Sequence, residues 1–159
     1  MSVNEEQFRS ALGRFAVGVT VVTTRSADGG DHGMTVSAFC SLSLQPPLIL
    51  VCIDKTASIY DIITTAPNFA VNVLSMSQEP VARRFSVVDI DRFEGVGFSR
   101  GRGEIPVIDD AVTVLECRRT ASYDGGDHTI IIGEVEEARW NDSGRPLLYY
   151  RGGYAHLER

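Results

Sequence analysis

The sequence contains one lysine and lacks any apolar run long enough for a membrane helix. Lys55 is the only lysine among 15 lysine and arginine residues. No apolar segment approaches the roughly 20 residues that span a bilayer, and the first residues lack the charged start and apolar core of a secretory signal. We therefore expect a cytoplasmic protein that does not contact a membrane.

Cysteine is scarce, and its spacing does not match the usual metal or redox motifs. The three cysteines, Cys40, Cys52 and Cys117, are odd in number and form no CxxC pair. Reduced thiols that fill the core are therefore favoured over disulfide bridges. The sequence predicts no metal site.

Motifs of the common nucleotide-binding and hydrolytic folds are also missing. The glycine cluster at residues 95–101 does not match GxGxxG and follows no clear strand pattern, so a Rossmann fingerprint is absent. The sequence has no GxxxxGK[ST] loop, HExxH helix or GxSxG elbow. Any nucleotide must be held by another type of site.

The composition is that of one soluble globular domain. Hydrophobic residues make up 43% of the chain and charged residues 23%, which argues against disorder. A chain of 159 residues can bury a single core, so we interpret residues 1–159 as one domain. The net charge of −6 disfavours nucleic acid as a partner and favours a small-molecule ligand.

The segment at residues 33–44, closed by Pro46 and Pro47, is the most informative part of the chain. As a single strand it would have a core face formed by Val36, Ala38, Cys40, Leu42 and Leu44. The opposite face would carry Thr35, Ser37, Phe39, Ser41 and Ser43. Such a row of hydroxyls around one ring suits a polyhydroxylated or phosphorylated ligand with a planar ring. An ordinary polar strand face explains the same alternation.

The remaining pattern is rich in strands and contains few helices. A capping box that begins at Ser2 and the spacing of Phe8, Leu12 and Phe15 predict an amphipathic helix over residues 4–14 that packs on the sheet. Further short helices are predicted over 59–65 and 77–85, and a long loop over 86–110. Strands are predicted over 17–24, 33–44, 48–53, 69–74, 111–123, 129–138 and 146–150. This order favours an antiparallel barrel or sandwich.

Two residues are candidates for chemistry. Lys55 lies between a predicted strand and a predicted helix start with Thr56 and Ser58, where hydroxyls, free amides and one cation would complement a phosphate. A solvated lysine beside an ordinary helix cap explains the same residues. His128 follows an Asp-Gly-Gly-Asp turn, where it can handle protons near neutral pH or simply occupy a surface turn.

A set of short motifs runs in one order along nearly the whole chain. It comprises residues 8–15, 18–24, 33–47, 69–74, 84–85, 91–93, 125–128 and 146–154. Together these motifs resemble the flavin reductase family, the small NAD(P)H-dependent reductases that supply reduced flavin to two-component monooxygenases. The ordered set is far more specific than any one of its pieces.

The resemblance implies a mainly β fold, an antiparallel Greek-key split barrel (FMN-binding split barrel) with a few short flanking helices. It also implies FMN or FAD and NADH or NADPH as cofactors, a homodimer with flavin sites near the subunit interface, and a separate oxygenase served by diffusing reduced flavin. A noncatalytic flavin-binding module and a flavoenzyme resembling pyridoxamine phosphate oxidase are the alternatives on the same barrel.

The resemblance also implies site residues, which fall into four groups and one catalytic candidate. The flavin ring and ribityl chain would be lined by Thr35, Val36, Ser37, Ala38, Ser41 and Ser43. The ribityl phosphate would be held by Cys52, Asp54, Lys55, Thr56 and Ser58. The outer side of the flavin would be near Phe85, Arg92 and Phe93. The dinucleotide would be seated by Tyr150, Arg151, Gly152 and Tyr154. His128 would orient the donor or balance charge during hydride transfer.

Overall fold

The computed structural model describes residues 2–158, within which three α-helices accompany twelve strands. The helices are α1 Glu5–Leu12, α2 Tyr60–Thr65 and α3 Glu79–Arg84. The first six strands are β1 Val17–Gly18, β2 Thr20–Arg25, β3 Asp31–Val36, β4 Phe39–Ser43, β5 Leu48–Asp54 and β6 Asn68–Val73. The last six are β7 Phe98–Arg100, β8 Pro106–Ile108, β9 Thr113–Gly125, β10 His128–Trp140, β11 Leu147–Tyr150 and β12 Gly153–His156.

Seven strands form one antiparallel sheet in the order β3-β2-β6-β9-β10-β5-β4. Strands β3 and β4 are the two edges of this sheet, yet Ser37 and Ala38 alone connect them along the chain. The sheet must therefore roll until its edges meet, although β3 and β4 do not pair within residues 2–158. This rolled sheet with an unpaired seam is the predicted split barrel.

The predicted single strand at residues 33–44 is wrong, because the chain turns at Ser37 and Ala38. Val36 is buried and Met34 packs on the barrel core, but the next residue to pack inward is Phe39. The turn thus shifts the alternation by one residue. The residues beyond Val36 that were predicted to face the core are therefore exposed: Ala38, Cys40, Leu42 and Leu44.

The cysteines differ from one another in burial. Cys117 is buried, and desolvation raises the pKa of its thiol to about 12, so it acts as a neutral core residue. Cys52 is half-buried and Cys40 is exposed on the edge strand β4. The prediction of core filling is therefore confirmed for Cys117 and wrong for Cys40.

Helix α1 forms as predicted but does not pack as predicted. Its cap is Asn4 rather than Ser2, since the Asn4 side chain accepts from the Gln7 N–H at 2.8 Å and the Gln7 side chain accepts from the Asn4 N–H at 3.1 Å. Phe8 is 60% exposed and Leu12 50% exposed, and no residue of α1 is buried. The apolar face of this helix has no partner within the described chain.

The segment predicted as a long loop contains the small hairpin β7–β8, which covers one outer face of the barrel. Ile105, Val107 and Ile108 of this segment are buried. Asn72 of β6 anchors the hairpin because its amide accepts from the Ile108 N–H at 2.9 Å and donates to the Val21 carbonyl at 2.9 Å. A Thr hydroxyl adds to the anchor, since Thr23 donates to the Pro106 carbonyl at 2.6 Å.

No helix within residues 2–158 is long and apolar enough to cross a membrane. Nor do three or more His, Cys, Asp or Glu side chains in this range come together as a metal-binding group.

We predict that Asn72→Ala lowers the free energy of unfolding by about 2–4 kcal/mol, because it leaves the buried Ile108 N–H without an acceptor and removes two further hydrogen bonds. Urea denaturation followed by circular dichroism measures this change as a lower midpoint at constant slope. Asn68→Ala, on an exposed position of the same strand, is the matched control and should change stability by about 0.5 kcal/mol or less. Equal effects of the two substitutions would contradict the anchoring role.

Candidate functional site

The seam of the barrel exposes backbone donors beside a cleft. Ser37 and Ala38 are exposed, and their N–H groups donate to no carbonyl oxygen within residues 2–158. The cleft measures about 220 Å³ and is lined by Val19, Thr35, Ser37, Ser86, Tyr149 and Tyr154. Small side chains and unpaired amides at its edge let a flat ligand approach the main chain closely.

An apolar groove continues from this cleft across the seam. It measures about 460 Å³, and its apolar lining includes Phe8, Leu12, Phe15, Val17, Ala38 and Tyr149. Ser37 and Tyr149 line both depressions, so the two are adjacent. The volume of the groove lies in the range of small-molecule sites, roughly 300–1,000 Å³, and the adjoining cleft extends it.

The two residues before Ser37 support the seam rather than offering side chains to a ligand. The Thr35 hydroxyl donates to the Ala82 carbonyl at 2.6 Å, and the Thr35 N–H donates to the Phe85 carbonyl at 3.2 Å. Val36 lies in the barrel core. On the far side of the seam Ser41 is exposed and Ser43 is half-buried.

The other side of the seam is held by β5. The Cys52 N–H donates to the Ala38 carbonyl at 2.9 Å. Asp54 lies two residues further along this strand, about 7 Å away by the strand rise. A turn follows in which the Asp54 carboxylate accepts from the Thr56 N–H and from the Thr56 hydroxyl, both at 2.8 Å. These hydrogen bonds lower the pKa of Asp54.

The helix start predicted beside Lys55 is wrong. Helix α2 begins only at Tyr60 and has no side-chain cap, so its first amides are not beside Lys55. The segment from Lys55 to Ser58 is a turn instead, because the Asp54 carboxylate binds Thr56 in a non-helical arrangement. A phosphate would therefore meet the Lys55 ammonium and nearby hydroxyls rather than the end of a helix.

Lys55 is engaged by the β9–β10 hairpin. Its ammonium contacts the Asp124 carboxylate, and its backbone N–H donates to the Asp127 carbonyl at 2.9 Å. The hydrogen bond that the Lys55 ammonium donates to the Asp124 carboxylate raises the pKa of Lys55. The lysine is therefore a protonated cation with an exposed carboxylate as its counter-ion.

Arg92 connects the turn at residues 55–58 with β3. Its guanidinium donates to the Gly33 carbonyl at 2.7 Å and to the Val87 carbonyl at 2.8 Å, and lies 3.4 Å from the Ser58 hydroxyl. Arg92 is half-buried, and desolvation lowers its pKa. No carboxylate within residues 2–158 pairs with it, so it adds a positive charge between Gly33 and Ser58.

The resemblance places Phe85 and Phe93 near the outer side of the flavin, and the structure buries both rings. Phe85 is 0% exposed and Phe93 is 9% exposed, and their rings pack edge to face with centroids 5.0 Å apart. The Phe85 ring fills the space next to Gly33, where an added Cβ would approach it to 2.8 Å. Both rings therefore belong to the core beneath the cleft because they pack on each other and on β3.

His128 lies at the start of β10, where its backbone is opposite Asp54 of β5. Its Nδ1 is 2.7 Å from a carboxylate oxygen of Asp127, and its side chain is 38% exposed. A carboxylate at Nδ1 favours the ring proton on that nitrogen. Nε2 then faces away as an acceptor, and it makes no hydrogen bond within the described chain.

The C-terminal hairpin brings aromatic residues to the cleft. Sequence reasoning missed β12, whose Tyr154 pairs with Tyr149 and packs edge to face on it at 5.5 Å. Tyr149 lines the cleft while the predicted Tyr150 points to the other side of the strand. Had β12 been recognised, the cross-strand register would have identified Tyr149 as the cleft residue.

The turn of this hairpin rests on α1. Arg151 and Gly152 have φ angles of 50° and 78°, as a two-residue type I′ turn requires. The Arg151 N–H donates to the Gly13 carbonyl at 2.7 Å, just after α1 ends. The turn residues therefore lie beside the apolar groove, and Gly152 is part of its lining.

The arrangement fits a flavin. Unpaired amides and small residues at the seam suit a planar ring edge, Tyr149 and Tyr154 offer aromatic surface, and Lys55 and Arg92 supply positive charge along β5 and β3. A short polyol chain can span the distance along β5 from Cys52, beside the seam, to Asp54, next to Lys55.

Comparison with known sequences identifies the family. The model of the flavin reductase like domain matches residues 12–158. An NADH-dependent flavin reductase of Rhodococcus is 42% identical, covering 94% of this chain and 85% of the relative. The reductase component of 4-hydroxyphenylacetate 3-monooxygenase from Thermus thermophilus is 40% identical, covering 96% of this chain and 97% of the relative. The chain spans only 47% of a probable flavin reductase from Rhizobium meliloti, at 44% identity.

Comparison with solved structures agrees with this assignment. The NADH:FAD oxidoreductase of Streptomyces globisporus, determined in complex with NAD and FAD fragments, superposes with a TM-score of 0.92 at 38% identity. The alignment covers 99% of this chain and 97% of that structure. This protein therefore belongs to the flavin reductase family and has its split-barrel fold.

Proposed function

We propose that this protein is an NAD(P)H-dependent flavin reductase, which transfers a hydride from NADH or NADPH to FMN or FAD and supplies the reduced flavin to a separate monooxygenase. The observation that carries this proposal is the pair of unpaired amides at Ser37 and Ala38 beside the aromatic cleft. The relatives named as flavin reductases and as a monooxygenase reductase component support it. Its cytoplasmic location remains a prediction.

The site requires little acid–base chemistry from its side chains. When bound, the flavin supplies the reaction by accepting a hydride from the nicotinamide C4 at its N5 atom. The N–H groups of Ser37 and Ala38 provide fixed donors for charge that develops on a ring edge. Tyr149 and Tyr154 exclude water from one side of the cleft and give the nicotinamide ring an aromatic surface to pack on.

His128 is the residue that we assign to charge balance and donor orientation. The Asp127 carboxylate holds the ring through Nδ1, which leaves Nε2 toward open space at the phosphate end of the site. A held imidazole can donate or accept one hydrogen bond without large reorganisation. We therefore expect His128 to act on the rate of reduction more than on flavin affinity.

The noncatalytic alternative from the sequence predicts a different set of required residues. A noncatalytic flavin-binding module needs the seam and Lys55 but neither His128 nor the cleft formed by the C-terminal hairpin. Relatives named as an NADH-dependent flavin reductase and as an NADH-dependent FMN reductase favour catalysis, and the Streptomyces structure was determined with both NAD and FAD fragments. We therefore do not retain the noncatalytic module or the oxidase as a second function.

We further propose that the protein forms a homodimer through the apolar groove. Phe8, Leu12 and Phe15 are 60%, 50% and 71% exposed although they share one face of the amphipathic helix region. Contiguous apolar surface of this kind is typical of interfaces between subunits. Because Ser37 and Tyr149 line both the groove and the cleft, a second copy on this face would also close the flavin site.

A stopped-flow experiment tests the activity directly. Purified protein is mixed with FMN or FAD and with NADH or NADPH, without oxygen, in all four combinations. We expect bleaching of the flavin absorbance with at least one pair, and the four rates give the preferred flavin and nicotinamide. Absence of bleaching in every combination would refute the proposed function.

We predict that His128→Ala slows flavin reduction by about 10- to 100-fold, because the site loses a positioned hydrogen-bonding group that orients the donor or balances charge. Single-turnover absorbance measures the rate, and quenching of flavin fluorescence measures the dissociation constant, which should change by about 2-fold or less. His156→Ala, on an exposed position of β12, is the control and should leave both quantities unchanged. An unchanged reduction rate in His128→Ala would remove the assigned role.

We predict that Phe15→Asp converts the protein from a dimer into a monomer of 17.4 kDa, since a charge at the centre of the groove must be desolvated on association. Native mass spectrometry gives the mass of each variant. Val88→Asp changes an exposed aliphatic residue that lies outside the groove, and we expect this variant to remain a dimer. A wild-type protein that is already monomeric at micromolar concentration would contradict the proposal.

A further inference from the structure

The only lysine of the chain has an acidic side chain as its partner. The Lys55 ammonium contacts the Asp124 carboxylate, although the two residues are 69 positions apart in sequence. The pairing of β5 with β10 and of β10 with β9 brings them together, because Asp54 is opposite His128 and Asp124 is opposite Thr129. The fold, and not local sequence, therefore creates this ion pair.

Asp124 differs from the other carboxylates around Lys55. Asp54 is occupied by the Thr56 N–H and hydroxyl, and Asp127 is bound to His128. Within the described chain, the Asp124 side chain makes one ion pair, with Lys55. Its side chain is 78% exposed and that of Lys55 is 39% exposed, so the pair is in contact with solvent.

We propose that Asp124 competes with the phosphate of the flavin for Lys55 and thereby keeps flavin binding weak enough for exchange. This inference rests on the proposed function. One ammonium cannot give its full charge to a carboxylate and to a phosphate dianion together, so the phosphate must displace Asp124 or share the lysine with it. An exposed ion pair is readily displaced, because water screens its attraction. The remaining carboxylates of Asp54 and Asp127 add to the repulsion of a bound phosphate.

This competition has a functional consequence. A reductase that supplies diffusing reduced flavin must release that flavin on each cycle, and tight binding of the phosphate would slow the release. A counter-ion built into the hairpin reduces the gain in affinity that a phosphate provides. Asp124 is in this sense a residue that determines whether flavin behaves as a substrate or as a retained cofactor.

Equilibrium binding of three ligands tests the inference. FMN, FAD and riboflavin are titrated against wild-type protein and Asp124→Asn, and the dissociation constants are obtained from flavin fluorescence. We expect Asp124→Asn to bind FMN about 3- to 10-fold more tightly at low salt, whereas riboflavin, which has no phosphate, changes by about 2-fold or less. The gain should fall as the salt concentration rises, since the attraction between phosphate and lysine is screened.

Two further variants control for net charge and for the lysine. Asp110→Asn makes the same change of charge before β9, at the other end of that strand, and should leave all three dissociation constants unchanged. In the double variant Lys55→Met with Asp124→Asn, the gain for FMN should disappear relative to Lys55→Met alone. Circular dichroism and the riboflavin constant confirm that each variant is folded, and Asp124→Ser is a second substitution of the same side chain.

The outcomes separate the inference from the proposed function. If wild-type protein binds neither FMN nor FAD at micromolar concentration, the proposed function fails. If it binds them and neither Asp124→Asn nor Asp124→Ser tightens FMN binding, the competition by Asp124 is refuted. Equal tightening of FMN and riboflavin would also refute it, because the effect would not depend on the phosphate.

Discussion

A connection of two residues joins strands that lie at opposite edges of a seven-stranded sheet, and this constraint determines most of the molecule. Because Ser37 and Ala38 can span only a short distance, the sheet must curl until β3 and β4 adjoin. The edges meet without pairing with each other, and the N–H groups of Ser37 and Ala38 have no carbonyl acceptor within residues 2–158. The barrel and its binding surface therefore have one cause, the short connection at the seam.

The surroundings of the seam hold this connection in place. On one side Thr35 is bound to α3 through its hydroxyl and its N–H, and on the other side the Cys52 N–H holds the Ala38 carbonyl. Arg92 ties Gly33 to the turn that contains Ser58. A rigid frame of this kind keeps backbone donors aligned before a ligand arrives, which lowers the cost of binding a flat ring. Residues that support the site outnumber those that can touch a ligand.

The sequence was sufficient to predict the fold class and the approximate location of the site, because strand spacing and ordered motifs depend on local pattern and on the resemblance. It was not sufficient for the faces of residues 33–44, since one extra residue at the turn reverses the alternation and only long-range pairing reveals that turn. The roles of Phe85 and Tyr149 were missed for a similar reason. Phe85 is placed in the core by its contact with Gly33, and Tyr149 is placed in the cleft by a strand pair with β12.

The charge balance at the phosphate end has the same non-local origin. Lys55 lies in the turn after β5 and Asp124 lies in β9, and the register of β5, β10 and β9 makes them neighbours. The sequence around Lys55 alone predicts a phosphate site, whereas the folded arrangement adds the Asp124 carboxylate, which would oppose the phosphate in the competition that we propose. Because an exposed ion pair exchanges partners at little cost, the partner of Lys55 depends on which anion is present. If Asp124 competes for Lys55 as we propose, flavin affinity depends on the hairpin that faces the lysine as much as on the lysine itself.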